Sequence, residues 1–282
     1  MREITVLTHG HPQESTPALR RLVQQAAAAG VNLRLDEEET RKHGIESGPG
    51  VEVNAPLKDE VELCIVLGGD GTILRALQRY AGTGVPVFAV NYGAIGFLAT
   101  VEPWELEEGV RTALAGEFDV MALPGLVAST PAGDRLAVND VSLHRRHSGR
   151  VAELAYSVVG EELGEVRCDG LVVSTPAGST GYNLANGGPV LAWGVEGYIV
   201  SFIAPHTLTA RTLVVAPDDT LEVINRSGAD EVDVTTDGQS VCRLAAEASM
   251  TIRFEHRRVR LAQTPGATFY HRLRDKFGRL SY

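Results

Sequence analysis

Through the first 116 residues, short apolar runs alternate with stretches of helical spacing. Residues 4–7 and 31–35 have β-type composition. Between them, residues 17–29 repeat with helical spacing, with Thr16 placed as N-cap, Pro17 as first helical residue and Gly30 as the left-handed residue after the last turn. The polar stretch 36–59, with Gly48-Pro49-Gly50 inside it, reads as loop and is expected to be mobile at 46–50. Residues 62–67 read as a strand that is apolar at every position after Glu62, as a strand covered on both faces must be, and Ile73, Leu74, Leu77 and Tyr80 follow at helical spacing. Residues 85–90 form another buried strand, and 104–114 a helix that ends at Gly116. Strand alternating with helix predicts a parallel sheet with right-handed crossovers.

From Asp119 the texture changes to short β-rich runs separated by turn residues. Strands are predicted at 136–144, 152–159, 166–175, 198–204, 220–224, 231–236 and 250–254. The exception is 175–191, where Pro176-Ala177-Gly178-Ser179-Thr180-Gly181 precedes a short helical pattern. The expected architecture is an α/β N-terminal domain with a parallel sheet (1–118) and a mainly β C-terminal domain (119–261). The basic, amphipathic tail (262–282) is expected to pack back on the first domain, whose surface is acidic.

Composition narrows the classes. The 282 residues are 44% hydrophobic and 22% charged, ordinary for a folded chain, so disorder is not expected. A formal net charge of −10 argues against a protein that coats nucleic acid. The acid concentrates at 36–39 and 102–108, both read as solvated faces. Cys64, Cys168 and Cys242 are odd in number and lack metal-ligand spacing, which fits a reducing compartment and excludes a disulfide framework. No apolar stretch approaches the ~20 residues that span a bilayer, and Met1-Arg2-Glu3-Ile4 leads straight into a strand. The expected location is the cytoplasm, with no membrane partner.

The candidate chemistry gathers at turns. Gly68-Gly69-Asp70-Gly71-Thr72 joins the buried strand to a helix at the carboxyl end of the sheet, where ligands of open α/β folds bind and where a helix N-terminus favours phosphate. Its three glycines remove Cβ atoms that would hold a polyphosphate off the backbone. Asp70 would repel such a ligand unless it meets a cation or a proton, so it either serves chemistry or caps the helix. Asn91-Tyr92-Gly93-Ala94-Ile95-Gly96-Phe97-Leu98 is a second glycine turn on the same edge; Asn91 is placed to hold a ligand hydroxyl, and Phe97 either packs on a flat ring or fills the core. Asn139 and Asp140 are adjacent in a strand pattern, so at least one faces inward and needs a partner. Asp237-Gly238-Gln239 reads as a hairpin turn. His144 and His147 are read as surface residues, since no third metal ligand accompanies them.

Together these motifs resemble the NAD kinase family. Gly68-Gly69-Asp70-Gly71-Thr72 matches its glycine signature, which diacylglycerol, sphingosine and phosphofructokinases share in part. The second turn matches the next motif, and Asn139-Asp140 matches its Asn-Glu/Asp pair. The run from Asp169-Gly170 through Ser174-Thr175-Pro176-Ala177-Gly178-Ser179-Thr180-Gly181-Tyr182-Asn183, with Gly187-Gly188-Pro189, matches its longest motif. Ala204-Pro205-His206-Thr207-Leu208 with Arg211, and Asp237-Gly238-Gln239, match the remainder in the right order. Gly181 stands where Ala is common and Ala177 where Thr is common.

The resemblance implies a kinase that transfers the terminal phosphoryl group of ATP, or of polyphosphate, to the 2′-hydroxyl of the adenosine ribose of NAD, with Mg²⁺ on the donor and the acceptor between the domains. It places Asp70 on that hydroxyl, Gly71 beside the cofactor, Arg75 near phosphate and Phe97 at the border of the nucleotide pocket. It places Asn139 and Asp140 on ribose hydroxyls, Asp169 on the nicotinamide side, and Ala177, Thr180, Tyr182, Asn183 and Ala185 on the adenine side, with Gly181 and Leu184 among the cofactor-binding residues. Arg150, Arg167 and Gln239 fall on further contact positions. No resident metal site is implied. A homodimer or homotetramer is, with subunits completing each other's adenine pockets. The rival readings are a lipid kinase built on the same glycine turn and a non-catalytic dinucleotide sensor.

Overall fold

The computed structural model describes residues 2–93, 96–146 and 150–278. Ala94 and Ile95 of the second glycine turn, and His147, lie outside the described residues. The chain divides into two compact units, residues 1–122 with 259–282, and residues 123–258.

In chain order the elements are β1 (Arg2–Thr8), α1 (Pro12–Ala29), β2 (Val31–Arg34), α2 (Glu37–His43), β3 (Val51–Glu52), β4 (Leu63–Gly68), α3 (Asp70–Arg79), β5 (Pro86–Asn91) and α4 (Leu106–Ala115). Then follow β6 (Asp119–Thr130), β7 (Gly133–Ala137), β8 (Asp140–Arg145), β9 (Ala152–Val158), β10 (Glu161–Cys168), β11 (Gly170–Ser174), α5 (Tyr182–Ala185) and β12 (Tyr198–Ile203). The chain closes with β13 (Leu213–Val215), β14 (Leu221–Asn225), β15 (Val232–Thr236), β16 (Gln239–Leu244), β17 (Ser249–Gln263) and α6 (Phe269–Phe277).

The first unit is the expected α/β domain. Its sheet runs β17-β5-β4-β1-β2-β3 with every pairing parallel, the end of β17 entering beside β5 at Arg260 and Leu261. The central strand β4 is buried at every residue, which is why it reads as a continuous apolar run. Ile4, Val6, Leu33, Leu63, Ile65 and Leu67 meet Leu19, Leu22 and Ala26 of α1 in one core.

The second unit is mainly antiparallel. One sheet runs β13-β12-β11-β8-β15-β16; in the other, β10, β9, β14 and the first part of β17 pair in series. Side chains of both, among them Leu143, Val173 and Val234 with Leu154, Val223 and Ile252, share one core cluster.

Several elements differ from the sequence expectation. Helix α1 begins at Pro12, which takes the first helical position assigned to Pro17; Pro17 lies inside the helix and Thr16 Oγ1 donates to Pro12 O at 2.6 Å. The 36–59 stretch is loop only in part, since α2 and β3 fold within it. α2 has no apolar residue, so hydrophobic periodicity cannot reveal it. Its signals are electrostatic and local: Asp36 Oδ1 accepts from Glu39 N at 2.8 Å, acids fill the first turn, Arg41, Lys42 and His43 the last, and Gly44 closes it at φ 58°. The acids at 36–39 are not all a solvated face either, because Glu39 is buried. The predicted strands at 136–144 and 166–175 each break, at 138–139 and at Asp169, while 250–254 is the beginning of a 15-residue strand.

Candidate functional site

In the first unit, β4 ends at Gly68 and the chain turns directly into α3. Gly69 is the N-cap, its carbonyl accepting from Thr72 N at 2.9 Å and Ile73 N at 3.1 Å. Asp70 does not cap the helix. Its Oδ2 accepts from Phe97 N at 2.9 Å and its Oδ1 from Leu98 N at 3.1 Å, so the carboxylate is held by two amides of the second glycine turn. Burial pushes its carboxyl above the usual carboxylate range, opposed by those two amides and by the cations of Arg272 and Lys276.

The glycines divide by task. A Cβ on Gly68 would stand 2.8 Å from the Thr72 side chain, one on Gly69 3.0 Å from Gly93 Cα, one on Gly93 2.9 Å from Gly69 Cα, and one on Gly96 2.7 Å from Asn91 Oδ1. Gly69 and Gly93 are glycine because the two turns touch, and Gly68 and Gly96 because each packs against a side chain of its own turn. Gly71 has nothing within 4 Å of such a Cβ, and it is the glycine here that leaves a ligand room. Asn91 is engaged internally, Nδ2 donating to Glu102 Oε2 at 2.9 Å and Oδ1 accepting from Gly93 N at 3.0 Å. Phe97 is buried with its ring against Phe269 and Phe277, so what it offers Asp70 is its backbone N–H. Arg75 is exposed one turn beyond Gly71.

The same carboxyl edge carries a polar cluster that sequence reading missed. Thr8 Oγ1 meets Glu39 Oε2 and His43 Nε2, both at 2.7 Å, and receives Lys42 Nζ at 3.0 Å. His9 next to it stacks on Tyr92.

In the second unit the organising side chain is Asp237. Its carboxylate accepts from Val138 N at 2.8 Å, Asn139 N at 2.7 Å and Asp140 N at 3.0 Å, while Asp237 N donates back to Asp140 O at 2.9 Å. Asp237 and Gly238 both adopt positive φ, 47° and 76°, as the expected two-residue hairpin turn requires. The 138–140 segment so held presents two unusual side chains. Asp140 is buried, and burial together with the nearby Asp237 charge pushes its carboxyl up to about 7. Asn139 Oδ1 is buried without a hydrogen-bond partner.

The long motif seats itself on this segment. Thr175 N donates to Asn139 O at 2.9 Å, Thr175 Oγ1 donates to Val138 O at 2.7 Å, and a Cβ on Gly178 would lie 2.1 Å from Asn139 O. Ala177 is buried, and Thr180 Oγ1 donates to Ala177 O at 3.3 Å. Asn183 is buried and its Nδ2 donates to Ser179 O and Pro189 O, so its amide closes the motif on itself. Gly181, Tyr182 and Ala185 are exposed and Leu184 half-buried, leaving this face open. His144, expected on the surface, is half-buried and stacks on Tyr182 with ring centroids 5.6 Å apart and planes 15° apart; burial lowers its pKa. Asp140 and Asp169 both act on the Tyr182 hydroxyl electrostatically.

Asp169 pairs with Arg145 at 3.0 Å. Arg150 and Arg167 are exposed and paired with Asp230 and Glu153, and line a pocket of about 470 Å³ to which neither Asn139, Asp140 nor the 177–185 turn contributes. Gln239 is exposed at the start of β16. The structure thus brings Asn139, Asp140, Ala177, Thr180 and Tyr182 together, and holds Arg150 and Arg167 apart from them. Asp237, His144 and Arg272 were absent from the expected contact residues. The signal for the first was its motif, and for the last the basic amphipathic tail.

Two family models match the chain, the ATP-NAD kinase N-terminal domain over residues 13–118 and the ATP-NAD kinase C-terminal domain over residues 138–264. An NAD kinase of Gemmatimonas aurantiaca is 35% identical over 260 residues, 89% of this chain and 88% of that protein. One of Lachnoclostridium phytofermentans is 32% identical over 99% of both chains. Among solved structures, an NAD kinase from Archaeoglobus fulgidus in complex with ATP aligns with a TM-score of 0.69 at 28% identity, over 99% of this chain and 98% of that one. A yeast NADH kinase complexed with NADH shares the fold, with a TM-score of 0.86 at 19% identity, over 100% of this chain and 90% of that one. With both halves of its sequence matched and the curated relatives aligned nearly end to end, the chain belongs to the NAD kinase family.

Proposed function

We propose that this NAD kinase moves the terminal phosphoryl group of ATP, or of inorganic polyphosphate, onto the adenosine 2′-hydroxyl of NAD, with Asp70 as the group that orients the hydroxyl and takes its proton. The new bond joins the ribose oxygen to phosphorus, and the bond from phosphorus to the leaving phosphate breaks. The observation that carries this reading is the Asp70 carboxylate pinned by two backbone amides beside the one open glycine of its turn. A base so held needs no reorganisation at the moment of reaction. Gly71 and the N-terminus of α3 would receive donor phosphates, with Arg75 nearby. The ATP held by the archaeal relative supports ATP as donor.

Asn139 and Asp140 would take ribose hydroxyls. The Asn139 Oδ1, buried without a partner, fits a hydroxyl donor, and a buried Asp140 gains an ionised state when a hydroxyl reaches it. The face made by the exposed Gly181, Tyr182 and Ala185, backed by His144, would meet the adenine, and Asp169 the nicotinamide side. Among the described residues no group of three His, Cys, Asp or Glu side chains is placed to hold a metal ion. Mg²⁺ would accompany the donor phosphates and neutralise their charge. We place the enzyme in the cytoplasm as a homodimer or homotetramer.

The deciding assay supplies purified protein, Mg²⁺ and ATP with either NAD or diacylglycerol, and follows NADP by an NADP-specific dehydrogenase. NADP formation with no lipid phosphorylation is expected. Lipid phosphorylation, or NAD binding without turnover, would give the reading to one of its rivals. Replacing ATP by polyphosphate in the same assay identifies the donor.

A further inference from the structure

Helix α6 bears on the backbone that holds Asp70. Arg272 donates to Phe97 O at 3.0 Å, and also to Ala99 O and Gln263 Oε1. Phe97 and Ala99 bracket Leu98, and the N–H groups of Phe97 and Leu98 are the donors to Asp70. One guanidinium therefore grips the carbonyls of a short segment while the carboxylate takes its amides. A planar fork suits three acceptors in this way, and an ammonium does not. A second chain of hydrogen bonds leaves the same helix. Lys276 Nζ donates to Glu102 Oε1 at 2.5 Å, Glu102 Oε2 accepts from Asn91, and Asn91 accepts from Gly93, whose backbone lies against Gly69. Phe269 and Phe277 hold the Phe97 ring from the same side.

We propose that Arg272 is a positioning residue for phosphoryl transfer, fixing the 97–99 backbone so that Asp70 is aimed, with Lys276 assisting through Glu102 and Asn91. The proposal rests on the reading of Asp70 given above. Arg272 and Lys276 of α6 are the cations that act on Asp70, and Asp275 and Glu102 act in turn on Arg272. Losing either cation moves the Asp70 carboxyl further up. A base must be ionised to act, so the acid limb of the kcat–pH profile moves to higher pH.

The test compares Arg272→Ala, Arg272→Lys and Lys276→Gln in the full-length enzyme. Arg272→Ala is expected to lower kcat roughly 10- to 100-fold, the scale of a misplaced reacting group, with the KM for NAD nearly unchanged. The acid limb should shift upward in Arg272→Ala and Lys276→Gln, which each lose a cation, and stay in place in Arg272→Lys, which keeps one but lacks the planar fork and should therefore lower kcat alone. Arg272 also lines a pocket of about 450 Å³ with Thr268, His271 and Lys276, so millimolar guanidinium should enter the gap and restore part of the kcat of Arg272→Ala. A folded Arg272→Ala enzyme with unchanged kcat and acid limb overturns the proposal, as does a loss confined to KM. If Arg272→Ala does not fold, an unchanged kcat in Arg272→Lys together with an unmoved acid limb in Lys276→Gln overturns it equally. Asp70→Asn, run alongside, separates the two readings. Full turnover in Asp70→Asn removes the catalytic role of Asp70 itself, whereas low turnover there with normal turnover in Arg272→Ala removes only the role of Arg272. The double variant should be no slower than Asp70→Asn alone.

Discussion

Asp70→Asn is the most informative single change, because the structure separates its catalytic from its structural effect. The carboxylate accepts two amide hydrogen bonds, at 2.9 Å from Phe97 N and 3.1 Å from Leu98 N. An asparagine keeps the shape but offers one acceptor, so one of those amides faces an NH₂ group. A buried donor left without an acceptor costs about 1–3 kcal/mol. Against that, the neutral amide escapes the burial that pushes the Asp70 carboxyl upward, so the net loss of stability should fall in the lower part of that range. The chemical loss is larger. A missing general base lowers turnover by roughly 10²–10⁴-fold, which is about 3–5 kcal/mol of barrier. Both effects are measured on one preparation, kcat by coupled NADP formation and unfolding by a melting curve, with NAD affinity from calorimetry. Turnover reduced a hundredfold or more with NAD affinity retained is expected. A variant that melts early yet turns over within a few-fold of the parent would show that Asp70 only ties the two glycine turns together, and would refute the catalytic assignment.

The other predictions concern the second unit and the glycines. Asp140 has its folded pKa raised to about 7, burial first and Asp237 second, so its contribution to stability is present below the ordinary carboxylate range and lost as pH rises through about 7. Urea unfolding at pH 5 and pH 8 should differ by a few kcal/mol, a difference that Asp140→Asn removes; equal pH dependence in the two proteins would count against the raised pKa. Asn139→Ala should weaken NAD binding roughly ten- to a hundredfold by calorimetry, from about 1–3 kcal/mol for a lost hydrogen bond. Unaltered affinity would take Asn139 out of the site. Gly71→Ala meets nothing within 4 Å and should fold normally but lose kcat/KM for the donor, whereas Gly93→Ala puts a Cβ 2.9 Å from Gly69 Cα and should lose about 1–3 kcal/mol of stability first. Melting curves and donor kinetics on the pair distinguish a ligand-facing glycine from a packing one.

What the sequence determined by itself was whatever is encoded by near neighbours. β4 is readable because a strand buried on both faces must be apolar at every position, and α3 because Ile73, Leu74 and Leu77 recur on one buried face. The Asp237-Gly238 turn is readable because few residue pairs tolerate positive φ twice in succession. The motifs, matched in order, placed the chain in its family. Tertiary structure decided what those residues touch. Nothing local to Asp70 says that its partners are amides 27 and 28 positions away, or that Gly69 is glycine because Gly93 lies against it. Helix α2 was invisible to periodicity because it buries Glu39 and His43, not apolar side chains, and a polar face is stabilised only by the partner it meets, here Thr8. Asp237 read as a turn residue and proved to hold the 138–140 backbone through three amides; Arg272 read as part of a basic tail and proved to grip the loop around Asp70. In each case a spacing rule reaches a few residues along the chain, while a charged or polar side chain reaches whatever the fold brings within about 3 Å, and that is settled only when the chain has closed on itself.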